Sequence, residues 1–177
     1  NVELVSHDRP AVRAAYGITE SNINVTGKNI TVAGKAREHE DSEFKPAVVY
    51  AQGIGVLNFS ATENISISDT ANVGGNAVGA YDGGAVNITD ATNVVVNGKV
   101  YTAGEGSNVN FDDAENVTIT STQGSAINNA SSTSSIIIGD ENTKSITITG
   151  KTEGSRAVYN DQGNLVNYNE DNRAVIY

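Results

Sequence analysis

The acidic residues Asp82, Asp90, Asp112, Asp113, Glu115, Asp140 and Glu141 have the widest chemical scope in this sequence. Cleaving a glycosidic bond would need two of them facing each other across a groove, at a separation that selects inversion or retention. Holding a hard cation would need several of their oxygens to converge, and Asp112, Asp113 and Glu115 are close enough in sequence to attempt it. Neither an EF-hand loop nor a glycine-rich nonapeptide array is present to complete such a site. These acids therefore read as solvated turn residues, and no catalytic residue, metal ligand or cofactor is assigned. The histidines, His7 and His39, fall in expected loops, away from any serine in the strand-turn-helix setting of a hydrolase nucleophile. A non-enzymatic protein is expected.

Two other groups of residues are candidates for contact with a partner. The stretch KAREHEDSEFKP, Lys35 to Pro46, carries seven charged residues in twelve positions and no glycine. A protruding loop there would present Arg37, Glu38, His39, Glu40, Asp41 and Glu43 to a receptor. The tyrosines Tyr16, Tyr50, Tyr81, Tyr101 and Tyr159 recur near one kind of strand, and Tyr81, Tyr101 and Tyr159 are expected to be exposed enough to bind.

The elements that must position these residues are written as a repeat. One family of short strands begins Ala-Val or similar (AVRAAYG, AVVYAQG, AVGAYDG, KVYTAGEG, AINNASS, AVYNDQG). A second places an apolar residue on each side of a polar one (INVT, LNFS, VNIT, VNFD, IIIG, VNYN). A third usually follows asparagine (NITVAG, NISISD, NVVVNG, NVTITS, SITITG). The families succeed one another in fixed order. From second to third, the leading apolar residues are 7, 8, 8, 8 and 10 positions apart, whereas successive first strands are separated by 36, 30, 22, 27 and 31. A tight corner thus joins the second and third strands, and the remaining connections absorb insertions.

Within each strand, apolar and polar residues alternate, as in Ile146 and Ile148 against Thr147 and Thr149, so one face should be buried and the other wet. The expected fold is all-β: a right-handed three-sheet parallel β-helix, a solenoid of about six coils, with a core of Val12, Ile23, Val25, Ile30, Val32 and their equivalents. Residues 1–177 would form a single segment of a longer solenoid, with a charged loop insertion at 35–46. The opening NVELV and closing RAVIY both fit third strands, so the chain is expected to begin and end inside the repeat. The recurring asparagines at Asn29, Asn64 and Asn116 lie in glycosylation sequons, but alternation produces that spacing by itself, and a stacked side-chain ladder is the expected arrangement.

Composition narrows the possible partners. The chain has no cysteine, so it holds neither a disulfide nor a thiolate metal site. With 11 Lys and Arg and a net charge of −10, it lacks the basic surface that nucleic-acid binding requires.

The NITVAG, NISISD, NVTITS and SITITG series, together with the Ala-Val units, resembles the passenger domains of Gram-negative bacterial autotransporters, which are parallel β-helices on the outer cell surface. The resemblance covers essentially the whole chain. It implies an adhesin segment on the bacterial cell surface, binding another copy of the protein on a neighbouring cell or a host surface protein or glycan. It also implies linkage to an outer-membrane barrel outside this segment. The alternative is a carbohydrate-active β-helix domain of the tailspike or polysaccharide lyase type, to be recognised by acids and a basic residue gathered in a groove.

Overall fold

The computed structural model describes residues 1–15, 20–36, 46–71, 75–150, 157–160, 164–165 and 174–176. Every ladder among them is parallel. The chain opens with β1 (Val2–Val5) and β2 (Val12–Ala14), followed by the long β3 (Ser21–Gly34), β4 (Val49–Gln52) and the long β5 (Gly55–Asp69). After these come β6 (Asn76–Tyr81), β7 (Ala85–Thr89), β8 (Asn93–Asn97), β9 (Lys99–Ala103), β10 (Asn108–Asp112) and β11 (Asn116–Ser121). The last strands are β12 (Ile127–Asn129), β13 (Ser135–Ile138), β14 (Ser145–Gly150), β15 (Val158–Asn160), β16 (Asn164–Leu165) and β17 (Ala174–Ile176).

Like pairs with like. In β11, Val117 lies against Val94 on one side and Ile146 on the other, with Ile119 between Val96 and Ile148. The apolar members of these columns are buried and the intervening Thr118 and Thr120 are not. A one-residue slip would turn every such column inside out, which is what fixes the register. A second wall of the core carries Leu57, Val86, Val109 and Ile136, with Phe59, Ile88, Phe111 and Ile138 beside them, all fully buried. The third is the small sheet, which contributes Val49, Val78, Val100 and Ile127. Ile23 and Val25 are only partly buried against this core.

The sheet count differs from the one expected. The structure has two sheets, of 11 and 6 strands, in place of the three separate sheets of an open right-handed β-helix of about six coils. The reason lies in β3 and β5. Each continues through the position where the sequence predicts a corner, and they remain paired from Ser21 with Gly55 to Gly34 with Asp69, apart from one register shift between Gly27 and Asn29. In the later repeats Asp90 (φ 63°), Asp113 (φ 52°) and Gly139 (φ 86°) adopt the left-handed conformation there and interrupt the strand. The long strands join the second and third families into one sheet that wraps the core, with the small sheet on the remaining side. The wall is nearly closed and barrel-like.

Three registers also shift by one residue from the sequence reading, since Val49 replaces Val48 opposite both Val12 and Val78. Val12 pairs with Val49 and not Val48, because the Val48 carbonyl accepts from the backbone N–H groups of both Ala11 and Val12. Ile136 pairs with Leu165 and not Val166.

Candidate functional site

The corners between the second and third strand families gather Asp90, Asp112, Asp113, Glu115, Asp140 and Glu141, while Asp82 stands apart in the β6–β7 turn, where it accepts from Gln52 Nε2 at 3.1 Å. A cleft of about 550 Å³ opens at those corners, lined by Thr62, Asp90, Ala91, Thr92, Asp113, Glu115, Asn142 and Lys144. Short side chains that turn the chain supply its walls. Asp90 and Asp113 are tolerated at positive φ because Asp, like Asn, visits this region at modest cost. The Asp90 carboxylate accepts from Ser60 Oγ at 2.8 Å, one repeat away, and from Thr89 Oγ1 at 2.9 Å.

Deeper along the same corner, one carboxylate oxygen from each of Asp112, Asp113 and Asp140 lies within 4.8 Å of the others. Hydrogen bonds across the repeat hold them. The Asp113 N–H donates to Asp140 Oδ2 at 2.7 Å, Asn142 Nδ2 donates to Asp113 Oδ1 at 2.7 Å, and the Asn142 N–H donates to Asp140 Oδ1 at 2.8 Å. The Asp112 and Asp140 side chains are in hydrogen-bond contact. The hydrogen bond to Asp140 raises the Asp112 pKa, reinforced by desolvation and by repulsion from Asp140 and Asp113. Burial acts to raise Asp140 as well, but the backbone N–H donors of Asp113 and Asn142, with Asp112 and Thr143, outweigh it and leave Asp140 below the usual carboxylate value. Of the two, Asp112 is the one that holds its proton to higher pH.

Glu115, which the sequence grouped with Asp112 and Asp113, turns away from them to Lys144, with Nζ 2.7 Å from Oε2. Its place is taken by Asp140, 27 residues after Asp113. Among the described residues, Asp112, Asp113 and Asp140 are those grouped closely enough to offer oxygen to a hard cation, and one oxygen from each supplies three of the roughly 6–8 ligands that calcium takes. Because Asp112 and Asp140 are in hydrogen-bond contact, they also do not flank a gap wide enough for a sugar and a water molecule.

Arg37, Glu38, His39, Glu40, Asp41 and Glu43 lie outside the described residues, as do Tyr16 and the side chain of Tyr159. Tyr101 is partly exposed, but Tyr81 is only 2% exposed, contrary to the exposure the sequence suggests. The cause is Gly79. The Tyr81 ring folds back over it so closely that an added Cβ would come within 2.7 Å of the ring. Tyr81 meets Tyr50 edge-on, with ring centroids 5.9 Å apart, and Tyr101 at 5.7 Å. Arg13 stands over the Tyr50 ring, with its guanidinium carbon 5.5 Å from the centroid. Burial drives the Tyr81 hydroxyl well above the ordinary phenol value, against the opposing effect of the Asn76 amide that donates to it at 3.3 Å. His7 is exposed at the surface.

Sequence reading missed a buried polar group at Thr102, Asn129 and Ser134, whose side chains bond to one another. Thr102 and Asn129 share a register position in the small sheet, below the alanines Ala14, Ala51 and Ala80. A break from alanine to Thr and Asn in that column was the available signal.

Compared with protein-family models, curated proteins and solved structures, the chain matches none. The fold and corner define an all-β protein of two parallel sheets with an acidic cleft. The resemblance to autotransporter passengers does not hold, because the nearly closed two-sheet wall is not their open three-sheet solenoid. Both functions that depended on that architecture, the surface adhesin and the carbohydrate-active domain, fall with it.

Proposed function

We propose that this chain is a non-enzymatic scaffold, a stiff stacked module that holds polar faces and corners at fixed spacing. The observation that carries this reading is an amide ladder. Asn29 Nδ2 donates to Asn1 Oδ1 at 3.2 Å, Asn64 to Asn29 at 2.5 Å, Asn93 to Asn64 at 2.9 Å and Asn116 to Asn93 at 3.1 Å. Ser145 Oγ continues the row by donating to Asn116 Oδ1 at 2.8 Å. A second row runs from Asn87 to Asn58 at 2.8 Å and from Asn58 to Asn24 at 2.7 Å. Side chains that would be free to bind elsewhere are instead committed to holding one repeat on the next, as the core columns are. Ordered rows of this kind stiffen a stack because each member restrains both neighbours.

Pulling the folded chain by its ends in single-molecule force spectroscopy tests the reading. A scaffold extends in steps of about one repeat, at a force that drops when Asn64 and Asn93 are both replaced by alanine. Collapse in one step at a force unaffected by those changes sinks the proposal, and so does a turnover activity abolished in Asp140→Asn.

A further inference from the structure

Asn97–Gly98 is the single Asn-Gly dipeptide in the sequence, and this pair is the most prone of all dipeptides to spontaneous deamidation, because glycine leaves its backbone nitrogen unhindered. The fold demands that glycine. Gly98 has φ 135°, and a Cβ there would lie 2.8 Å from the Ala77 Cβ and 3.0 Å from the Gly75 carbonyl oxygen. The turn from β8 into β9 thus brings a chemical liability wherever Asn precedes it.

We infer that Asn97 is a conformationally gated modification site, closed while β8 is paired and open when that pairing is lost. Two hydrogen bonds form the gate. The Gly98 N–H, whose nitrogen is the nucleophile, donates to the Thr120 carbonyl at 2.8 Å, and Asn97 Nδ2, the leaving group, donates to Ser68 Oγ at 3.1 Å. Solvent is not what limits the reaction, because Asn97 is exposed and water reaches it.

When the strand opens, solvent base removes the Gly98 N–H proton and the nitrogen attacks Asn97 Cγ. The new N–Cγ bond forms, the Cγ–Nδ2 bond breaks, and ammonia leaves with a proton taken from solvent. Water then opens the succinimide at either carbonyl, leaving aspartate or isoaspartate at position 97. Either product sets a carboxylate in the column Ala33, Ser68, Asn97, Thr120, Thr149, which carries no charge. Isoaspartate also adds a methylene to the backbone just before the Gly98 and Lys99 N–H groups that bond Thr120 and Gly75. The mark therefore hinders reclosure, and the accumulated time spent open becomes a permanent record.

Mass spectrometry of isoaspartate and aspartate at position 97, in the folded chain and in the same chain unfolded in guanidinium at the same pH, tests this. The folded chain is expected to react at least about tenfold more slowly, a factor equivalent to ~1.4 kcal/mol of opening free energy. Val96→Ala, which loosens the buried neighbour of Asn97, should raise the folded-state rate in parallel with hydrogen exchange at the Gly98 amide. A series of sub-denaturing guanidinium concentrations on the unmodified chain gives the same comparison if that variant does not fold. Equal rates in the folded and unfolded chains overturn the inference. So does a folded-state rate that stays constant while Gly98 exchange accelerates.

Discussion

Lys144 is joined to Glu115 twice: its Nζ lies 2.7 Å from Glu115 Oε2, and its backbone N–H donates to the Glu115 carbonyl at 2.7 Å. The Ser145 N–H adds a third bond to the same carbonyl at 3.1 Å. Only the side-chain link is removed by mutation, and it is well exposed to solvent. Lys144→Ala should therefore cost less than about 1 kcal/mol. Chemical denaturation at low and high salt checks this: the small difference from the unmodified chain should vanish at high salt.

The opposite shifts of Asp112 and Asp140 make stability depend on acid in two opposed ways. Asp140 is depressed in the folded chain, so its contribution is present above the unfolded carboxylate value and is lost as pH falls through the folded one. Asp112 is raised, so its contribution is complete below the unfolded value and is lost as pH rises through the folded one. Asp112→Asn keeps a donor for Asp140 but removes the charge, and should be more stable than the parent at neutral pH. Denaturant midpoints measured between acid and neutral pH decide the matter, and carboxyl carbon NMR should show Asp112 titrating above Asp140.

Phe59 and Phe111 occupy one column of the core, with Ile88 between them. All three are fully buried. Phe111→Ala should cost about 3–5 kcal/mol and Ile88→Val about 0.5–1.5 kcal/mol. Thermal or urea unfolding measures both. A Phe111→Ala loss under about 1 kcal/mol would show that the column is not packed as described.

Gly79 and Tyr81 should behave as a coupled pair. Gly79→Ala forces the Tyr81 ring out of its seat and should destabilise by about 1–3 kcal/mol. In Tyr81→Ala that clash is absent, so the second substitution should cost much less. A double-mutant cycle reads the coupling directly, and near-ultraviolet circular dichroism should report the displaced ring in the single Gly79→Ala variant.

Replacing Asn93 by alanine removes a donor to Asn64 and an acceptor for Asn116. Water can take over part of both roles at an exposed ladder, so the cost should be about 0.5–1.5 kcal/mol. Adding Asn64→Ala should cost less than the sum of the single changes, because the two residues share one bond. Equilibrium unfolding of the single and double variants supplies the comparison.

Local order was readable in the sequence because it rests on alternation. Val117 and Ile119 point inward, Thr118 and Thr120 outward, and Asn116 bonds its counterpart Asn93, all as a period of two and a recurrent asparagine require. Sheet number was not readable. Whether a strand breaks at the corner depends on one residue adopting positive φ, as Asp90 and Asp113 do, while the chain from Gly27 to Asn29 stays extended. The acids were visible, but their grouping was not, since Asp140 joins Asp113 only when successive repeats are stacked. Tyr81 misled because its burial depends on the absence of a side chain two residues earlier, at Gly79.

Each amide in the row from Asn29 to Asn116 donates to its counterpart in the preceding repeat, and Asn29 alone among them also donates forward, to Glu63 Oε2 at 3.3 Å. If Asn64 alone turned over, its oxygen would face the Asn29 oxygen and its NH₂ group would face the NH₂ of Asn93. Turning one member alone costs its bonds to both neighbours, so the row favours one sense throughout. The ladder thus has a polarity that belongs to no single residue, because each member's orientation is fixed by the neighbours it bonds on either side.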